Sequence, residues 1–252
     1  MKKSILYLLV VLYFAPSLHA QEKVTSPNYQ YCWQGKLGEN IPVFLHFQKH
    51  KNLIVGEITY LNTKAKKPIP LIGRKYSKSG LLYLNEFTEG GIITGVWMLT
   101  PQGDSLTGHW YAPYSDEQYR VAVVKQDTLM SSLSISTHSQ HISGEYEYHY
   151  GEKGPQGTWR IKRLDEHHIT IKASAVTSAP ARNLAYVSTD TVRIDNHQFV
   201  YKVGMDSDCK IVMQGTFYKV FLKVNYINDE PCRYYFGHNA TLEGIFYKTE
   251  DE

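Results

Sequence analysis

One five-residue phrase recurs along this chain: apolar, any, glycine, any, apolar. Its seven copies are Trp33-Gln34-Gly35-Lys36-Leu37, Ile54-Val55-Gly56-Glu57-Ile58, Ile93-Thr94-Gly95-Val96-Trp97, Leu106-Thr107-Gly108-His109-Trp110, Ile142-Ser143-Gly144-Glu145-Tyr146, Met213-Gln214-Gly215-Thr216-Phe217 and Leu242-Glu243-Gly244-Ile245-Phe246. In an extended chain, residues i, i+2 and i+4 share a face. Each copy therefore sets large, bare, large on one side of a strand. A flat sheet gains little from a glycine mid-strand, whereas a coiled or closed sheet uses it to bend and to relieve crowding inside. The phrase predicts an all-β chain that curls into antiparallel barrels or half-barrels.

The text around the phrases agrees. From Tyr29 to Lys125 about eight alternating strands follow one another, with short turns at Gly38-Glu39-Asn40, His50-Lys51-Asn52, Ser77–Gly80, Glu89-Gly90-Gly91 and Gln102-Gly103-Asp104. Eight strands are what a small up-and-down barrel needs. Residues 127–141 are serine-rich and carry little packing material, and read as a linker. The pattern restarts at Ile142 and supplies about eight more short strands before the end. The expected organisation is a leader over 1–20, a barrel-like domain over 21–126, the linker, and a second barrel-like domain over 142–252. Ser105–Tyr111 and Thr241–Tyr247 match position for position in character, which a duplicated unit or one shared strand recipe would each produce.

Residues 1–20 read as a signal peptide: Lys2 and Lys3, an apolar run from Ile5 to Ala15, and a cleavage site at Leu18-His19-Ala20. Export, periplasmic or extracellular, is the expected localisation, and no later apolar run is long enough to span a bilayer as a helix. With 27 basic and 24 acidic residues interspersed along the chain, no basic face suits nucleic acid or an anionic membrane. Three cysteines are present. Cys209 and Cys232 are near in sequence, flank two predicted strands and form the natural disulfide in an oxidising compartment. Cys32 is then left over and reads as a small buried hydrophobe.

The run of hairpins with Gly-x-Trp phrases, Gly95-Val96-Trp97, Gly108-His109-Trp110 and Gly157-Thr158-Trp159, resembles the calycin group of lipocalins, fatty-acid-binding proteins and avidins. The first strand carries Tyr31-Cys32-Trp33, without the glycine that lipocalins have there, so the lipocalin signature is incomplete. Phe236-Gly237-His238-Asn239-Ala240-Thr241, with the two cysteines before it, is similar to uncharacterised exported bacterial proteins. The resemblance implies a calycin-like barrel and no particular activity.

Catalytic signatures are missing: no nucleophile elbow, no His-Glu-x-x-His, no phosphate-cradling loop and no dinucleotide fingerprint occur. No cofactor or metal is expected. His167 and His168 are adjacent and so point to opposite faces of an extended chain. Glu145, Glu147 and His149 share one strand face; a carboxylate pair can serve glycoside hydrolysis, but such a row is also the ordinary wet face of an amphipathic strand. The aromatic excess, with 20 tyrosines and 4 tryptophans, carries more weight. Trp97, Trp110, Tyr146, Tyr148 and Trp159 either line a ligand cavity or fill the barrels, and Arg182 lies on a long loop that can cap a mouth and meet an anionic group. The leading expectation is an exported, non-enzymatic protein that holds a small apolar or sugar-like ligand in a barrel mouth. The alternatives are an envelope interaction or inhibitor-like module and a hydrolase with a dispersed site.

Overall fold

The computed structural model describes residues 29–133, 135, 141–204, 209–228, 232 and 235–251. The expected leader, residues 1–20, lies outside the described residues. Among the described residues, sixteen strands form two closed antiparallel barrels of eight strands each. The first comprises β1 (Tyr29–Leu37), β2 (Ile41–His50), β3 (Leu53–Tyr60), β4 (Ile69–Lys75), β5 (Leu82–Phe87), β6 (Ile93–Gln102), β7 (Ser105–Tyr111) and β8 (Gln118–Ser131). Each strand pairs with the next, and β8 returns to β1. The second comprises β9 (Gly144–His149), β10 (Gln156–Arg163), β11 (His168–Val176), β12 (Leu184–Asp195), β13 (Gln198–Gly204), β14 (Lys210–Phe217), β15 (Phe221–Tyr226) and β16 (Gly244–Glu250), closed by β16 against β9. No helix long and apolar enough to cross a membrane occurs among the described residues.

All seven phrase glycines lie in strands. They are used in two ways. At Gly35, Gly56 and Gly108 a methyl group would run into a carbonyl oxygen of the neighbouring strand, that of Ala122, His46 or Met98, because the coiled sheet brings the backbones close there. At Gly95 and Gly215 the vacated space is taken by side chains, Trp110 with Glu86 in the first case and the Phe199 ring in the second.

Each barrel buries its own core. In the first, Trp33, Leu37, Val43, Leu45, Phe47, Ile54, Ile58, Leu71, Leu82, Leu84, Trp97, Leu99, Leu106, Val121 and Val123 fill the interior. In the second, Tyr146, Trp159, Phe199, Phe217 and Phe246 pack against small residues on β11 and β12, Ala173, Ala175, Ala185 and Val187. The aromatic rings thus take the room that the alanines leave. Between β12 and β13 the ladder is bonded only at its hairpin end, Ile194 with Phe199 and Asp195 with Gln198.

A disulfide joins Cys209, just ahead of β14, to Cys232 in the connection after β15. It closes a loop over a sequence separation of 23. Replacing both cysteines by serine is expected to lower stability by about 3 kcal/mol on the loop-closure relation, read as a shift of the urea midpoint. Cys32 is free and fully buried, and burial pushes its thiol pKa up. It sits on the outward face of β1, opposite His46 of β2.

The barrels pack side by side through a seam of their own. Outward residues of β3 to β6, Leu53, Val55, Ile72, Phe87, Ile93 and Val96, meet Phe221, Ile245, Tyr247, Tyr148 and Tyr150 of the second barrel. Phe87 stacks on Tyr247 with ring centroids 5.6 Å apart. Asn85 donates to the Tyr150 hydroxyl at 2.9 Å. Ser132 and Leu133, just after β8, are pinned as well. Ser132 donates to the Gln48 side-chain carbonyl at 2.5 Å, as does the Leu133 backbone N–H at 3.0 Å. Residues 127–131, where the expected linker opens, are the last residues of β8, and Leu129, Met130 and Ser131 pair with Tyr31, Gln30 and Tyr29. The side chains of residues 127–131 stay exposed while the backbone of the last three is bonded.

Candidate functional site

The inward face of β5 reads Leu82, Leu84, Glu86: two core leucines and then a carboxylate. Glu86 is only 2% exposed. A buried carboxylate persists only where donors replace its water, and four do so here. Oε1 accepts the Tyr60 hydroxyl at 2.6 Å, the Trp97 indole N–H at 2.6 Å and the Trp110 indole N–H at 3.2 Å. Oε2 accepts the Thr94 hydroxyl at 3.2 Å.

The register explains the convergence. Glu86 lies opposite Gly95, Trp97 opposite Trp110, and Trp110 opposite Tyr119. Gly95 has no side chain, so the Trp110 indole crosses above it to the carboxylate. A bulge follows, where Phe87 pairs with Ile93. The extra residue is Thr94, and the bulge lets its hydroxyl reach inward. Tyr60 closes β3 on the same rim. Half-buried Ile41, Ile69, Trp110 and Tyr119 complete this end, with the Trp110 and Tyr119 rings 5.6 Å apart.

Burial pushes the Glu86 pKa up, and the hydrogen bonds from Tyr60, Trp97, Thr94 and Trp110 pull it part of the way back. Burial, with Glu86 beside it, pushes the Tyr60 phenol far above its ordinary value. Tyr60 therefore stays protonated and donating. The native state keeps the Glu86 proton to higher pH than the unfolded chain does. Its contribution to stability is therefore present below the ordinary glutamate value and lost as pH rises through the folded-state value. Compared with Glu86→Gln, the wild type is expected to lose stability across that window, checked as the difference between the two proteins' urea midpoints from pH 4 upward.

Of the residues expected to bind a ligand, Trp97 and Trp110 meet here. Tyr146 and Trp159 lie in the core of the second barrel. The Tyr146 hydroxyl donates to the Ile142 carbonyl at 2.8 Å, and the Trp159 ring packs against Phe199 and Phe246. Tyr148 packs between Phe246 and Tyr150, at the seam side of that core. Arg182 donates to the Gly154 carbonyl at 3.1 Å in a neighbouring loop. These six residues thus belong to three separate places. Sequence reasoning missed Glu86, Tyr60, Thr94 and Tyr119. The signal for Glu86 was there, since a Leu-x-Leu-x-Glu alternation puts a carboxylate on a core-facing row.

The other titratable groups singled out from the sequence are engaged separately. Glu145 pairs with Arg160, Glu147 accepts from Thr158 at 3.0 Å and lies 3.6 Å from His149, and His168 bonds Asp165. No group of His, Cys, Asp and Glu that could hold a metal ion occurs among the described residues. Compared with family models, with curated proteins and with solved structures, the chain matches none.

Proposed function

We propose that this chain is an exported, non-enzymatic binding protein and that the Glu86 end of the first barrel is its ligand mouth. The observation that carries the reading is the buried Glu86 carboxylate held beneath half-buried Trp110 and Tyr119. Aromatic faces suit the C–H faces of a sugar ring, and a carboxylate suits its hydroxyls. Oε1 already accepts three donors, whereas Oε2 has the Thr94 hydroxyl alone, so Oε2 keeps capacity for a ligand hydroxyl. The best-supported ligand is therefore a small sugar-like molecule. Among the described residues no second acid or histidine bonds Glu86, and a lone carboxylate favours binding over hydrolysis. The second barrel serves in this reading as a packed scaffold, its aromatics filling the core and its disulfide bracing one edge. The disulfide and the leader-like N-terminus support an extracytoplasmic setting, and the closed eight-stranded architecture supports the calycin-like comparison.

Thermal-shift screening against glycans, muropeptides and lipids tests the proposal. A true ligand at a hundredfold excess over Kd stabilises by about 2.7 kcal/mol, and Trp110→Ala is expected to abolish that gain while remaining folded. Stabilisation that survives Trp110→Ala would place the ligand elsewhere.

A second reading, an envelope interaction module, is favoured by one feature. Beyond the barrel, β1 and β8 continue as a ribbon whose Tyr29, Leu129 and Met130 are 36%, 50% and 37% exposed. Such a cluster suits a protein partner. Leu129→Lys with Met130→Lys would disrupt co-purification of a partner without touching ligand stabilisation.

A further inference from the structure

The opposite end of the first barrel carries a different chemistry. The core-facing row of β2, Val43, Leu45 and Phe47, continues to Lys49, that of β4 through Leu71 and Gly73 continues to Lys75, and that of β8 through Val121 and Val123 continues to Lys125. The register agrees: Lys49 lies opposite Ile54, Lys75 opposite Leu82 and Lys125 opposite Trp33, all three partners belonging to the barrel core. Three ammonium groups from separate strands thus crown one rim. None of them is in an ion pair among the described residues.

Beneath the rim is an aromatic floor. Trp33 stacks on Phe47 with centroids 5.9 Å apart and planes 11° from parallel. Tyr31 forms a wall, with the Lys125 ammonium 4.8 Å from its ring centroid. Trp33 is 8% exposed, and its indole N–H is buried without a partner among the described residues. A buried unpaired donor costs about 1–3 kcal/mol, so it marks a place that an acceptor would improve. Lys49 shows the like-charge crowding: burial, and then Lys75, lower its pKa.

We propose that this rim is an anion-binding mouth, distinct from the Glu86 end, that takes a small aromatic anion: a planar apolar body over Tyr31 and Trp33, and a sulfonate, phosphate or carboxylate among Lys49, Lys75 and Lys125. Uncompensated cations on one rim beside aromatic rings raise the local concentration of anions, and the floor supplies stacking and a free N–H donor. The packed core between the two ends, Leu45, Ile58, Leu71, Leu84 and Leu99 among it, keeps the two mouths independent.

The test uses the full protein with two fluorescent probes, 1-anilinonaphthalene-8-sulfonate and its uncharged parent N-phenyl-1-naphthylamine. The anionic probe is expected to bind at one site, to move the Trp33 indole N–H resonance, and to lose affinity about tenfold or more in Lys49→Gln/Lys75→Gln/Lys125→Gln. The neutral probe should bind wild type more weakly and ignore the substitutions. Each single Lys→Gln variant should weaken the anionic probe on the order of threefold, which keeps the proposal testable if the triple variant folds poorly. Anionic-probe affinity unchanged by the substitutions, or binding that leaves the Trp33 resonance in place, would overturn it.

Discussion

Glu86→Ala is expected to destabilise the protein by about 4 kcal/mol, since truncation strands the donors that Oε1 now accepts, the fully buried Trp97 indole and the half-buried Tyr60 and Trp110, and a buried group left unpaired costs about 1–3 kcal/mol. Two further substitutions separate this cause from simple loss of volume. Glu86→Met fills the space with apolar atoms and still leaves Tyr60, Trp97 and Trp110 without an acceptor, so it should be nearly as damaging as alanine. Glu86→Gln keeps a carbonyl oxygen for those three donors and can turn its amide to Thr94, whose hydroxyl oxygen accepts. It should cost about 1 kcal/mol or less near neutral pH, because the ionised carboxylate it replaces is the form that burial disfavours. Urea unfolding of the three variants checks the order. A methionine variant as stable as glutamine would show that the network contributes little.

Phe87→Ala should have an effect of similar size for a different reason, and a second signature with it. Glu86 and Phe87 are neighbours in sequence, yet they serve opposite faces of β5: one ends in the first barrel's interior and the other in the seam. Phe87 is fully buried against Tyr247. Removing a buried phenylalanine costs about 3–5 kcal/mol through lost transfer energy and the cavity left behind. Because that cavity lies between barrels that each have their own core, Phe87→Ala is also expected to split one unfolding transition into two. Glu86→Ala should weaken the first barrel alone. Calorimetry distinguishes them: a single sharp transition retained in Phe87→Ala would mean that the seam is not what couples the barrels.

How much of this could be read in the sequence follows from the range of the interactions. The glycine phrases are local: five residues suffice to place a bare position between two bulky ones, and all seven glycines lie in strands of closed sheets. The Cys209–Cys232 pairing was legible for the same reason, being short in sequence. Trp97 and Trp110 stood out as aromatics on phrase-bearing strands, and they do converge. Their target did not stand out, because Glu86 draws its donors from β3, β6 and β7, and only closure of the barrel brings those strands together. Tyr146 and Trp159 carry the same local pattern as Trp97, yet the alanines on β11 and β12 leave their rings room to fill a core. The seam was visible only as an excess: Leu53, Ile54 and Val55 are consecutive and all buried, which one barrel wall with a wet outer face does not need. That β8 runs on to Ser131 was not legible, because strand membership there depends on pairing with Tyr29–Tyr31, about a hundred residues away in sequence.

The four tryptophans give one measurement that reaches both barrels at once. Trp97 and Trp110 touch Glu86, Trp33 floors the opposite rim, and Trp159 lies in the core of the second barrel, so indole N–H resonances in a nitrogen-15 spectrum report four addresses separately. On titration with a panel of soluble mono- and disaccharides, the account predicts that one sugar moves the Trp110 and Trp97 resonances together and leaves Trp159 in place. A panel that moves none of the four, or a sugar that moves Trp159 while Trp110 stays still, would contradict it.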